Sequence, residues 1–286
     1  MKTLRNFVLT LFTFILVSAA VNAQDAFISA ADFMKVSKDK NTVVVCVDKQ
    51  KNYDVTHITG SIHLDQKSLM KSGEPDGILK SPAELAKIFG GKGISEKNLI
   101  ILYDDGKNKY AGRVYWVLKY LGAANVKILT KDLAQWRKVR VAITKAPTTL
   151  KAVTFTPKVD NTIFADYDYV KSNLDNAGVV LLDVRAANEF NGTSTDPVSK
   201  GHIKGAKNME WNSVTKDNGD LKSNEELTKL FESLGITKNK TVVLYCGTSV
   251  RAGIVYVALK NLGYQNVKVY DGAYNEWVAK GGAVVK

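Results

Sequence analysis

The one stretch of this chain whose residue types and spacing make a nucleophile is Cys246-Gly-Thr-Ser-Val-Arg251. Before it, Thr241 to Tyr245 is a short β-branched apolar run, the pattern of a strand buried on both faces. After it, Ile254, Val255, Val257, Ala258, Leu259 and Leu262 recur at helical spacing, and Gly263 is a plausible stop. A thiol at the C-terminal end of such a strand lies where open α/β sheets bind ligands. Backbone N–H groups curling from Gly247 through Thr248, Ser249 and Val250 to Arg251, into a helix N-terminus, would surround the sulfur with partial positive charge. That setting lowers a thiol pKa from about 8.5 toward or below neutrality. Cys246 is the expected nucleophile, and Gly247 to Arg251 its expected substrate-binding loop.

The elements that must position this loop occur twice. Leu79-Lys-Ser-Pro-Ala-Glu-Leu-Ala-Lys-Ile-Phe matches Leu221-Lys-Ser-Asn-Glu-Glu-Leu-Thr-Lys-Leu-Phe at an offset of 142 residues. Each copy carries a capping box, Ser81 with Glu84 and Ser223 with Glu226, and each leads into an apolar strand, Leu99 to Tyr103 or Thr241 to Tyr245. Ala111 to Gly122 then shares 8 of 12 residues with Ala252 to Gly263. Upstream, His57-Ile-Thr-Gly60 mirrors His202-Ile-Lys-Gly205. Alternating strands and helices predict an α/β fold of two tandem domains, each a mostly parallel central sheet flanked by helices. The first spans 24–143 and the second 161–286. Residues 144–160, flanked inside by Pro147 and Pro157 and lacking a helical period, read as an extended linker.

The copies differ at the loop. Asp104 stands where the second copy has Cys246, followed by Asp105 in a loop one residue longer. A carboxylate cannot accept a sulfur atom and be regenerated, so the first domain reads as inactive, a partner that packs against the second and walls its site. Two adjacent acids in a turn read as solvated rather than as a metal site. Neither a metal nor a cofactor is expected.

The chain opens with Lys2 and Arg5, a mostly apolar run from Phe7 to Val21, and the small-residue pattern Val21-Asn-Ala23. That is a secretory signal peptide over 1–23, cut before Gln24. The mature protein is expected to be exported, periplasmic or secreted, with no membrane attachment after cleavage. Its net charge of +12 falls to +10 once Lys2 and Arg5 are removed. The lysines are scattered and no aromatic-interleaved motif accompanies them, which argues against nucleic acid and leaves modest steering of anions. Two cysteines are too few for a disulfide framework; Cys46, in Thr42-Val-Val-Val-Cys, reads as a buried small hydrophobe.

Leu181-Leu-Asp-Val-Arg185, Glu189-Phe190, Gly201-His-Ile-Lys-Gly-Ala206, the Cys246 loop and Asp271-Gly-Ala-Tyr-Asn-Glu-Trp277 occur in that order. Together with the duplication they resemble the rhodanese (sulfurtransferase) family over essentially the whole mature chain. The resemblance implies that the Cys246 thiolate takes the sulfane sulfur of an anionic donor, becomes a persulfide, and passes the sulfur to a thiol or cyanide. Loop amides would hold that persulfide, and Arg251 would help bind the donor or brace the loop. Thr248 and Ser249 hydroxyls would face the sulfur or shape the turn. Asp183 and Arg185 would form a supporting pair beneath the site, and His202, like His57, would stabilise a turn. Tandem members that use thiosulfate or mercaptopyruvate usually carry an arginine where this chain has Glu189, so Glu189 is expected to oppose thiosulfate. Thiosulfate stays the default donor, with a polysulfide or protein persulfide as alternatives. Two other classes remain open: a Cys-dependent phosphatase or arsenate reductase, and a non-enzymatic persulfide carrier. The oligomeric state is not legible.

Overall fold

A computed structural model describes residues 26–286; the expected signal peptide, 1–23, lies outside the described residues. The first half runs β1 (Phe27–Ile28), α1 (Ala30–Val36), β2 (Thr42–Cys46), α2 (Gln50–Val55), β3 (His57–Ile58), β4 (Ile62–His63), α3 (Pro82–Gly91), β5 (Leu99–Tyr103), α4 (Lys109–Tyr120), β6 (Val126–Leu129), α5 (Leu133–Lys138) and β7 (Ile143–Thr144). The second repeats it: β8 (Phe164–Ala165), α6 (Tyr167–Ser172), β9 (Val179–Asp183), α7 (Ala187–Phe190), β10 (His202–Ile203), β11 (Lys207–Asn208), α8 (Asn224–Ser233), β12 (Thr241–Tyr245), α9 (Ala252–Asn261), β13 (Val267–Tyr270), α10 (Ala273–Ala279) and β14 (Val284–Val285).

Each half holds a five-stranded, all-parallel sheet, ordered β1-β6-β5-β2-β4 and β8-β13-β12-β9-β11. The central strands are apolar throughout because helices cover both faces. A two-stranded antiparallel ribbon accompanies each sheet, β3 with β7 and β10 with β14. Both capping boxes form: the Ser81 and Ser223 hydroxyls accept the Glu84 and Glu226 N–H groups, and each glutamate reaches back to the serine N–H at 2.9 and 2.8 Å. Register places Tyr245 beside Asp183 and Tyr103 beside Cys46, so equivalent strand ends gather at one edge of each sheet.

The halves meet along α4 and α9. A Cβ on Gly253 would fall 2.3 Å from the Arg113 nitrogen, and one on Gly112 would fall 2.5 Å from the Ile254 nitrogen. The repeated Ala-Gly therefore exists to let two helix backbones touch. Val114, Trp116, Val117, Ile254, Val255 and Val257 join the inner faces of both sheets in one continuous core, each large side chain contributing about 1.5–3 kcal/mol. The linker is extended but not free. Its Val153 and Lys158 N–H groups donate to Gly90 and Leu121 carbonyls, Asp160 N–H to Tyr120, and Phe155 is buried against Phe89. Among the described residues, no helix is long and apolar enough to cross a membrane.

Candidate active site

Cys246 leaves β12 as a free thiol, 1% exposed and packed into the shared core. The thiol is thus buried at the base of its loop. Tyr274 and Asn275, in the first turn of α10, donate N–H groups to the Cys246 and Gly247 carbonyls at 3.0 and 3.2 Å. Ser249, buried at φ +58°, turns the chain through the left-handed region, and its hydroxyl donates to the Tyr270 carbonyl. That hydroxyl shapes the turn and does not face the sulfur. The carbonyls are thereby tied down, while the N–H groups of Gly247, Thr248, Ser249, Val250 and Arg251 have no acceptor among the described residues. They lead into α9, whose N-terminus adds its own positive end.

Glu189 meets Arg251 side-on, with Nη1 to Oε2 at 2.6 Å and Nη2 to Oε1 at 2.8 Å. Glu189 also accepts the Ala186 N–H, closing the first turn of α7. Burial opposes both charges. The ion pair nevertheless holds the Glu189 carboxyl below its ordinary value and, with the Cys246 sulfur nearby, pushes Arg251 up. Arg251 thus spends both terminal nitrogens on Glu189, whereas the sequence suggested a side chain free to bind donor or brace backbone carbonyls. Asp183 and Arg185, both fully buried at the end of β9, form a fork with Nη2 to Oδ2 at 2.6 Å, and Arg185 also donates to the Gly201 carbonyl. The guanidinium lies 3.7 Å from the Tyr274 ring centre, so the pair underpins α10 and through it the loop. His202 stacks on Phe190 and bonds its carbonyl at 3.0 Å, as His57 does with Tyr53.

The first domain supplies a wall. Gly77 approaches the loop so closely that a Cβ there would stand 2.6 Å from the Thr248 Cβ. Asp271 holds that wall in place: Oδ2 accepts the Leu79 N–H at 2.8 Å, and Oδ1 pairs with Arg113 at 2.7 Å. Arg113 also donates to the Gly77 carbonyl. Sequence reasoning missed this latch. The available signal was Arg113 itself, a charge in an apolar helix where the second copy has Ile254.

In the first domain, Asp105 is exposed but Asp104 is buried, which corrects the solvated-turn reading. Its Oδ1 accepts the Gly106 and Asn108 N–H groups at 2.9 Å each, and Oδ2 accepts those of Tyr110 and Ala111 at 3.0 and 3.1 Å. Asn108, the counterpart of Ser249, takes the same φ of +58°. Burial and the Asp105 charge push the Asp104 carboxyl up to about 6, against the pull of those amides. The first domain's loop therefore builds an anion cradle and fills it with its own side chain.

Comparison with known proteins matches the description "Rhodanese-like domain" to residues 29–139 and again to 166–280. The chain belongs to the rhodanese family. A putative thiosulfate sulfurtransferase of Mycobacterium leprae is 31% identical over 267 residues, 89% of this chain and 95% of that one. The sulfur carrier protein TtuD of Thermus thermophilus is 34% identical over 240 residues, 79% and 83% of the two chains. The crystal structure of SseA from Escherichia coli, described as a 3-mercaptopyruvate sulfotransferase, matches with a TM-score of 0.79 at 27% identity, covering 87% of this chain and 98% of that one. The chain is thus a two-domain member of a sulfurtransferase family. Both rhodanese domains keep the loop architecture, and one keeps the cysteine.

Proposed function

We propose that this rhodanese moves a sulfane sulfur from a donor to a thiophilic acceptor, a thiol or cyanide, through a persulfide on Cys246. The observation that carries this reading is the Asp104 carboxylate. A carboxylate oxygen stands two bonds from Cβ, through Cγ, and the outer sulfur of a cysteine persulfide also stands two bonds from Cβ, through Sγ. Asp104 is in that sense a permanent stand-in for the persulfide anion, and four loop amides donate to it. The homologous amides around Cys246 are available for a sulfur formed there. Amide donors aimed at developing charge are the usual means of stabilising such an intermediate. Cys246 attacks the outer sulfur, the amides hold it, and the acceptor removes it. Arg251 fixes the loop through Glu189, and Asp183 with Arg185 fixes α10.

Intact mass of the purified chain tests this. A sulfane donor should add about 32 Da, one sulfur, through the covalent step, and cyanide should remove it. Cys246→Ser should gain nothing at that position. Turnover of an aryl phosphate without a sulfur adduct would instead favour the phosphatase reading, although only four residues separate Cys246 from Arg251. An adduct that neither cyanide nor a small thiol discharges would favour a carrier. We also propose export to the periplasm or medium on the strength of residues 1–23; N-terminal sequencing should find a mature chain beginning at Gln24.

A further inference from the structure

Three guanidiniums surround the catalytic loop, and each is matched by one carboxylate. Arg185 forks onto Asp183, Arg113 pairs with Asp271, and Arg251 at the loop itself is gripped by both oxygens of Glu189. The Arg251 and Glu189 side chains are only 25% and 16% exposed, so bulk water screens the pair little. Gly247 to Val250 adds no charge of its own. What the loop offers beyond these neutral pairs is a set of backbone N–H groups.

Such a site suits one anionic sulfur, and none of Arg113, Arg185 and Arg251 is left unmatched for a second anionic group on the donor. Thiosulfate brings a sulfonate and departs as sulfite. An organic persulfide brings its sulfane sulfur on an uncharged carbon stem. We propose that Glu189 sets the donor class by neutralising Arg251, so that Cys246 takes sulfur from an organic thiol persulfide in preference to a small oxyanion donor. This rests on the reading of Cys246 as the persulfide-forming nucleophile. In the step, the Cys246 thiolate attacks the outer sulfur of R–S–SH. The bond from Sγ to that sulfur forms, the donor's S–S bond breaks, and its electron pair leaves on R–S⁻. The proton stays with the transferred sulfur, and no external oxidant or reductant takes part. Glu189 is a specificity-determining residue that acts through Arg251.

The test follows the rate of sulfur gain on Cys246 by intact mass, with the uncharged-stem donor 2-hydroxyethyl persulfide and with thiosulfate at equal concentration, and Cys246→Ser as the background. The wild-type chain should load from the persulfide at least about tenfold faster, the least that a missing charge-assisted hydrogen bond would cost thiosulfate. Glu189→Gln keeps an oxygen for the Ala186 N–H and leaves the Arg251 charge without its carboxylate. It should speed thiosulfate loading relative to persulfide loading about ten- to hundredfold and lose most of that gain at high salt. Wild-type loading from thiosulfate as fast as from the persulfide would overturn the inference, as would a Gln variant no faster with thiosulfate relative to the persulfide. The wild-type ratio decides even if the variant proves unstable. Failure of every donor to load Cys246 is a different result, which overturns the persulfide reading itself.

Discussion

Asp104→Asn separates a structural anion from a merely acidic loop. The substituted side chain can keep one oxygen on the Gly106 and Asn108 N–H groups but turns an NH₂ toward those of Tyr110 and Ala111. Two buried donors then lose their acceptor, at about 1–3 kcal/mol each. A loss of about 2–6 kcal/mol lowers Tm by about 4–12 °C in a chain of this size. Thermal unfolding by circular dichroism at pH 7.5 reads it, and sulfur loading of Cys246 should persist, because Asp104 donates nothing to the second domain's loop. The pH dependence gives a second handle. The folded carboxyl keeps its proton up to about pH 6, whereas an unfolded aspartate releases it near about 3.9. Its contribution is therefore greatest below about pH 4 and declines as pH rises through the folded value. Asp104→Asn should remove that slope. A Tm within about 1 °C of wild type would refute the cradle argument. Lost loading at unchanged Tm would instead place the first loop in the chemistry.

Three further outcomes are expected. Cys46→Ser should load sulfur normally but lose about 1–3 kcal/mol in urea unfolding, from a hydroxyl buried among valines. In the wild-type protein Cys46, pushed up to about 11 by burial, should resist alkylation at pH 8, where about one thiol in a thousand is ionised; rapid labelling of Cys46 in the folded chain would contradict the packing. Arg113→Met leaves Asp271 buried without its cation, so it should cost about 3–5 kcal/mol and slow loading as Gly77 loosens from Thr248; unchanged stability and rate would show the latch to be idle.

Much of the fold was legible because it rests on local chemistry. Capping boxes at Ser81 and Ser223, β-branched runs ending at Tyr103 and Tyr245, and the repeated Ala-Gly are all visible within a few residues of one another. The strand–loop–helix unit around Cys246 was legible for the same reason, since its three parts are contiguous. Its surroundings were not. Glu189 and Arg251 are 62 positions apart and Arg113 and Asp271 are 158 apart, so only the packed halves bring them together. Asp104 was misread for a subtler reason. Adjacent acids look like a solvated turn until the left-handed turn at Asn108 aims the loop amides inward.

The duplication explains why the first half keeps the loop in this detailed form. Gly112 and Gly253 lock α4 against α9, which brings the 70s segment of one half to the loop of the other and does so reciprocally. Gly77 abuts Thr248, and 142 residues later Gly219 abuts Gly106 and accepts the Asn108 amide at 2.7 Å. Each loop is thus closed by the opposite domain. If the first loop lost its anion, its amides would be buried without acceptors and its contact with Gly219 would shift. The helix that carries Arg113 follows directly from that loop. A filled cradle at Asp104 therefore keeps α4 in register, α4 keeps Asp271 and Gly77 in register, and these hold the loop on which Cys246 acts. The geometry of the second domain's loop thus runs through the first domain.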